Sequence, residues 1–158
     1  MSKMARDKGK RGEYEVRDIL RGIIKANKLD ETWDPELVGR NLSQTRGGGF
    51  DLGGVPLLAV EVKFHEKPNI KAFWAQAYKQ AVIHNETYPD DPLTPVLFWR
   101  KSRAQWKVYI PTTFIEGCES LTTCIEMDRQ AFTYWWVKRL RKVIAYNSAA
   151  QIDLKLKG

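Results

Sequence analysis

The sequence predicts a single α/β domain, a central mixed sheet of about five strands flanked by helices. Three observations predict it. Apolar residues recur at helical spacing in three separate stretches, near residues 16–24, 70–81 and 132–143. Between them lie short apolar or alternating runs bounded by glycine and proline, at 50–64 and 96–110. The 158 residues carry no internal repeat and no linker long enough to divide them, so residues 1–158 read as one domain with one core.

The elements follow in order. Residues 1–12 read as a basic N-terminal arm, with Lys3, Arg6, Lys8, Lys10, Arg11 and two glycines. The first helix is expected from about Gly12 to Ala26, because Val16, Ile19, Leu20, Ile23 and Ile24 fall on one face. Asn27 to Pro35 is polar and turn-rich. A short strand is expected within Leu37 to Thr45, broken by three glycines after Arg46. Phe50 to Leu52 reads as a second short strand, Gly53-Gly54 as a tight turn, and Val55 to Phe64 as its hairpin partner.

After the loop His65 to Asn69, a second helix carries Ile70, Phe73, Trp74, Ala77 and Ala81 to about His84. Three prolines make Tyr88 to Pro95 a loop. Val96 to Trp99 and Trp106 to Ile110 flank a basic turn and predict another hairpin. Pro111 to Ser120 is irregular. Asp128 can cap a last helix carrying Phe132, Trp135, Trp136, Leu140 and Val143. From about residue 146 to 158 the periodicity fades and a loosely held tail is expected.

Composition narrows the function classes. No apolar stretch approaches the roughly 20 residues of a membrane span. The basic N-terminus lacks the apolar core of a secretory signal. Cys118 and Cys124 have no CxxC partner or nearby histidine, so neither a disulfide nor a zinc site is expected, and a reducing cytoplasm is the default location. The net charge of +7 and pI near 9.4 suit an anionic partner, nucleic acid being the commonest, or an inert basic surface.

The chemistry concentrates in Leu57 to Phe64, a strand-like run that carries Glu61 and Lys63. Side chains alternate across a strand, so these two share one face, with His65 next along it, while Val60, Val62 and Phe64 share the other. Burying charge is costly unless it is paired or binds an ion. The hairpin through Gly53-Gly54 can return Asp51 to the same strand end. Two carboxylates there make an oxygen-rich pocket of the kind Mg²⁺ occupies. A solvent-facing ion pair accounts for Glu61 and Lys63 equally well. On the first helix Glu13 projects about 50° from the centre of the apolar stripe and Glu15 about 110°. Glu13 therefore faces the body of the protein, either as a metal ligand or as a first-turn glutamate favoured by the helix dipole.

Asp51 with Glu61-Val62-Lys63 resembles the two motif segments of the PD-(D/E)XK nuclease superfamily. Lys8-Gly9 followed by Glu13, four residues after the glycine, is similar to the start of the archaeal-type Holliday-junction resolvases and their phage relatives. The resemblance runs from about Lys8 to His84 and implies a restriction-endonuclease-like fold. It implies that Asp51, Glu61 and the Val62 carbonyl bind Mg²⁺, for which Mn²⁺ can substitute, and that Lys63 positions the attacking water. It implies that Glu13 completes the site or binds a second ion, and that the products are a 5′-phosphate and a 3′-hydroxyl.

The same resemblance makes Gln76 or Gln80 a candidate supporting residue on the second helix, and Ser43 or Thr45 another before Asp51. An arginine often follows the first glutamate in that family, whereas this chain has Tyr14. The substrate implied is branched DNA, cut by a homodimer because a four-way junction is cut on two strands. Lys8, Lys10, Arg11, Arg40, Arg46, Lys67 and Lys71 surround the candidate site in sequence and are candidates for phosphate contact, each with a solvated surface charge as its ordinary alternative. Lys138, Arg139, Arg141 and Lys142 form a second basic run. Two rivals remain at this point. One is a nuclease of the same fold with another DNA substrate, restriction-like, exonucleolytic or repair. The other is a basic binding module without catalysis. A viral source would put the protein in the host cytoplasm.

Overall fold

The computed structural model describes residues 1–42, 49–114 and 122–157. Helix α1 (Lys3–Ala26) leads into strands β1 (Gly39–Arg40), β2 (Leu52–Gly53) and β3 (Leu58–Phe64). Helix α2 (Ile70–Thr87) precedes β4 (Thr94–Arg100), β5 (Lys107–Pro111), β6 (Cys124–Asp128) and helix α3 (Arg129–Lys157). The six strands form one mixed sheet in sequence order. Only β3 and β4 are parallel, joined by the α2 crossover.

Each face of the sheet has its own apolar layer. Leu58, Val60, Val62 and Phe64 of β3 and Val96 and Phe98 of β4 pack under α1 and α3, against Val16, Leu20, Ile24, Phe132, Trp136 and Leu140. The alternate residues Leu97, Trp99 and Tyr109 meet Trp74 and Ala77 of α2 on the opposite face. This period-two division puts Glu61 and Lys63 on the α2 side, as the strand pattern predicts.

Four differences from the sequence reading have physical causes. Helix α1 starts at Lys3, so the basic residues 1–12 belong to it and are not an arm outside it. Ser2 caps it by accepting from the Ala5 N–H at 3.2 Å, and apolar periodicity is blind to a turn with nothing to bury. The β2–β3 connection spans 54–57, not two glycines. Gly54 holds φ +69 with its Cα against the Leu37 carbonyl, where a Cβ would stand 2.0 Å from the oxygen. A sixth strand, β6, lies on the sheet edge. Finally, α3 continues to Lys157, its last turns exposed, where fading periodicity predicts a loose tail from Tyr146.

Among the described residues no helix is long and apolar enough to cross a membrane. Cys124 is a free thiol, and Cys118 lies outside the described residues.

Candidate active site

The site is assembled where β2 ends early. Leu52 stands opposite Val60, and both belong to the layer beneath α1, so their neighbours Asp51 and Glu61 face the other side together. The Asp51 N–H donates to the Val60 carbonyl at 3.0 Å, and Asp51 Oδ2 accepts the Val62 N–H at 2.7 Å. The Asp51 carboxylate thus caps the free edge of β3. A residue's N–H and C=O leave a strand on the same edge, so the Val62 carbonyl lies beside that carboxylate. The Val62 side chain is in the core, and its contribution to the cleft comes from its main chain.

Glu61 is 1% exposed, and neither of its oxygens has a hydrogen-bond partner among the described residues. Lys63 Nζ sits 2.8 Å from Oε1 as an ion pair, off the line of a hydrogen bond. Burial, then the negative charge of Asp51, push the Glu61 carboxyl up to about 8 despite Lys63. The cost of this arrangement is high, and a second cation would remove it. Lys63 lies 5.7 Å from the centroid of the Phe73 ring, which fixes the amine over the α2 side.

A cleft of about 460 Å³ opens in front of this strand end, lined by Arg6, Lys8, Lys10, Glu13, Arg40, Asp51, Val62, Lys63, His65 and Glu66 among others. Helix α1 forms one wall. Gly12 lets it approach β3, since a Cβ there would meet the Phe64 Cβ at 3.1 Å, and this contact sets the helix turn that carries Glu13. Glu13 accepts from the Arg40 Nε, and its pKa is raised by burial and by Asp51 while Arg40 opposes the rise. Arg40 also lies 5.7 Å from the Tyr14 ring and Arg17 lies 4.8 Å from it.

The structure does not converge Glu13, Asp51 and Glu61 into one three-carboxylate shell. No group of three His, Cys, Asp or Glu side chains among the described residues could hold a metal ion. Glu13 is engaged by Arg40 instead, its charge already compensated at the cleft wall. Asp51, Glu61 and the Val62 carbonyl could hold a hard cation, since they are oxygen donors and the Glu61 oxygens have no hydrogen-bond partner among the described residues.

Of the candidate phosphate contacts, Lys8, Lys10 and Arg40 line the cleft. Arg11 lies outside its lining, 3.5 Å from Glu15, and Lys67 and Lys71 are exposed outside it. Gln76 is exposed on α2. Gln80 lines a different cleft, beside Phe50 and His84, with its Oε1 buried and without a hydrogen-bond partner. Ser43, Thr45 and Arg46 lie outside the described residues.

Glu66 is a cleft residue that the sequence reading did not name, whereas Arg6 was read with the basic residues before Glu13 and His65 as next along the face of Glu61 and Lys63. The signal for His65 was its place two residues beyond Lys63. Burial and the nearby Lys63 and Lys8 lower its pKa, so it is neutral at physiological pH. Glu66 accepts from Lys8 and Ser102, which hold its pKa at about 2 and tie α1 to the loop after β4.

A family model described as "Phage putative PDDEXK endonuclease" matches residues 4–151. The chain belongs to this family. That makes it a nuclease by descent, of a class that acts on DNA and generally uses divalent metal ions. It is also similar to "Protein D14" of Escherichia phage T5, 26% identical over 127 residues, which cover 69% of this chain and 72% of that protein. No solved structure matches the chain.

Proposed function

We propose that this nuclease is a divalent-metal-dependent endonuclease that cuts branched DNA, four-way junctions above all. The single observation that carries the catalytic part is Glu61, a buried carboxylate beside Asp51 whose one ion pair among the described residues is with Lys63. Mg²⁺, or Mn²⁺ in its place, would be held by Asp51, Glu61 and the Val62 carbonyl. Such an ion polarises a phosphodiester and lowers the pKa of a bound water.

The chain's own residues supply the rest. Lys63 leaves its ion pair with Glu61 to orient the water and meet the charge that grows on the phosphoryl oxygens. Lys10 and Arg6 line the cleft at the exposed end of α1 and hold the DNA backbone. Glu13 and Arg40 form a paired wall. Arg40 takes the place of the arginine that follows the glutamate in the resolvases, held by the ring of Tyr14. The junction preference rests on the Lys8-Gly9 and Glu13 spacing, and two strand cuts at one junction call for a homodimer working in the host cytoplasm.

The test is cleavage of a labelled four-way junction, flap, linear duplex and single strand under Mg²⁺, Mn²⁺ and EDTA. Metal-dependent cutting strongest on the junction supports the proposal. Preference for linear duplex or ends would reassign the substrate, and binding without cleavage in any metal would contradict the catalytic reading.

A further inference from the structure

Beyond the cleft, the cations of α1 and those of α3 differ in their partners. Along α1, beyond the cleft, each has a carboxylate partner: Arg17 has Asp18 at 2.8 Å, and Arg21 and Lys25 share Glu36 at 3.2 and 3.7 Å. On α3, Arg129, Lys138, Arg141 and Lys142 are exposed, and none has a carboxylate partner among the described residues. No acidic residue occurs between Asp128 and Asp153. Lys138, Arg141 and Lys142 stand at i, i+3 and i+4, an arrangement of like charges that weakens a helix when nothing neutralises it.

These four side chains rim a groove of about 820 Å³ that runs between α3 and Asn27 at the end of α1. Val137 forms its floor, and Tyr134, 76% exposed, stands one turn before Lys138. Asn27 is 14 residues beyond Glu13 on the same helix, which places the groove roughly 20 Å from the cleft. A duplex advances 3.4 Å per base pair, so about six base pairs span that separation.

We propose that the α3 groove is a second DNA-binding surface, which grips the backbone of the duplex arm whose scissile phosphate lies in the cleft. The proposal rests on the nuclease reading above and adds to it a footprint. DNA fits this surface better than other polyanions because the same helix leads from the groove to the cleft. The groove contributes affinity and no chemistry.

The test uses Asp51→Asn protein as the non-cutting background and hairpin duplexes with stems of about 5 and about 25 base pairs. Binding is read by fluorescence anisotropy across a salt series. Combining Lys138→Gln, Arg141→Gln and Lys142→Gln should weaken binding of the long stem roughly tenfold or more and lower the salt slope by about 2 to 3. Binding of the short stem should change less than about threefold, because it cannot reach both surfaces. The control pair Arg17→Gln and Lys25→Gln, on cations that have carboxylate partners, should leave both unchanged. Equal loss on both stems, or an unchanged long-stem affinity in a parent that binds DNA, overturns the second surface. A parent that binds neither stem overturns the nuclease reading with it. Circular dichroism and the melting temperature of the triple variant check that α3 is intact.

Discussion

Two carboxylates near β3 have opposite fates. Glu15, on α1, takes Arg100 in a two-pronged ion pair at 2.8 and 3.0 Å and also accepts from the Trp106 Nε1 at 3.2 Å. Arg100 stacks 3.8 Å from the Phe64 ring centroid and 5.2 Å from that of Trp106. Glu61, within the sheet on β3, has one off-line ion pair and no hydrogen bond among the described residues. A satisfied, partly buried charge braces a fold. An unsatisfied one beside a second carboxylate is a place kept for something the chain itself does not supply.

The sharpest way to break this comparison is to alter each side. Asp51→Asn should lower metal-dependent cleavage by roughly three orders of magnitude, the scale on which loss of a charge-stabilising group acts, while DNA affinity changes less than about tenfold. Lys63→Met should lower kcat by roughly 100-fold and leave the Michaelis constant within a few-fold, measured under saturating Mg²⁺. Arg100→Leu should do the reverse. It should cost about 2 kcal/mol of stability in urea unfolding, less than a fully buried pair because Glu15 is one-third exposed, and leave cleavage per folded molecule unchanged.

A gentler prediction follows from pH. Glu61 titrates near 8 in the folded protein and near 4.5 when unfolded. Between those values the folded state keeps a proton that the unfolded state has lost, so in EDTA stability falls as pH rises from about 4.5 to about 8. The loss should be on the order of 2 kcal/mol, and Glu61→Gln should flatten it. A wild-type profile that is level across this window would place Glu61 in a wetter setting than its 1% exposure indicates.

Much of this was legible in the chain. Leu58 to Phe64 alternates cleanly, so the shared face of Glu61 and Lys63 followed from period two alone. Asp51 could be returned to that strand because two glycines promised a hairpin, although the real connection is longer, with Pro56 and a positive-φ Leu57 closing it. The partly buried setting of Glu13 was readable from helix phase. Its partner was not, since Arg40 arrives from a strand of two residues that no periodicity marks.

Glu15 was expected to project from the core and instead reaches across to Arg100, a contact 85 residues distant in sequence. Strand β6 carries the strand pattern, Ile125 and Met127 alternating with Glu126 and Asp128, but the run is short and its last residue was read only as the cap of the following helix. Helix ends whose apolar residues stay exposed, Met4 at one and Ile152, Leu154 and Leu156 at the other, leave no amphipathic trace.

The central claim is that Glu61 and Asp51 hold a divalent ion together. Thermal unfolding at pH 8 with and without Mg²⁺ tests it without reference to activity. Saturating Mg²⁺ should raise the melting temperature of the wild-type protein by about 2 to 8 °C, as expected for a ligand that binds only the folded state. Asp51→Asn and Glu61→Gln should each lose most of that rise. Equal Mg²⁺ shifts in all three proteins would contradict the account.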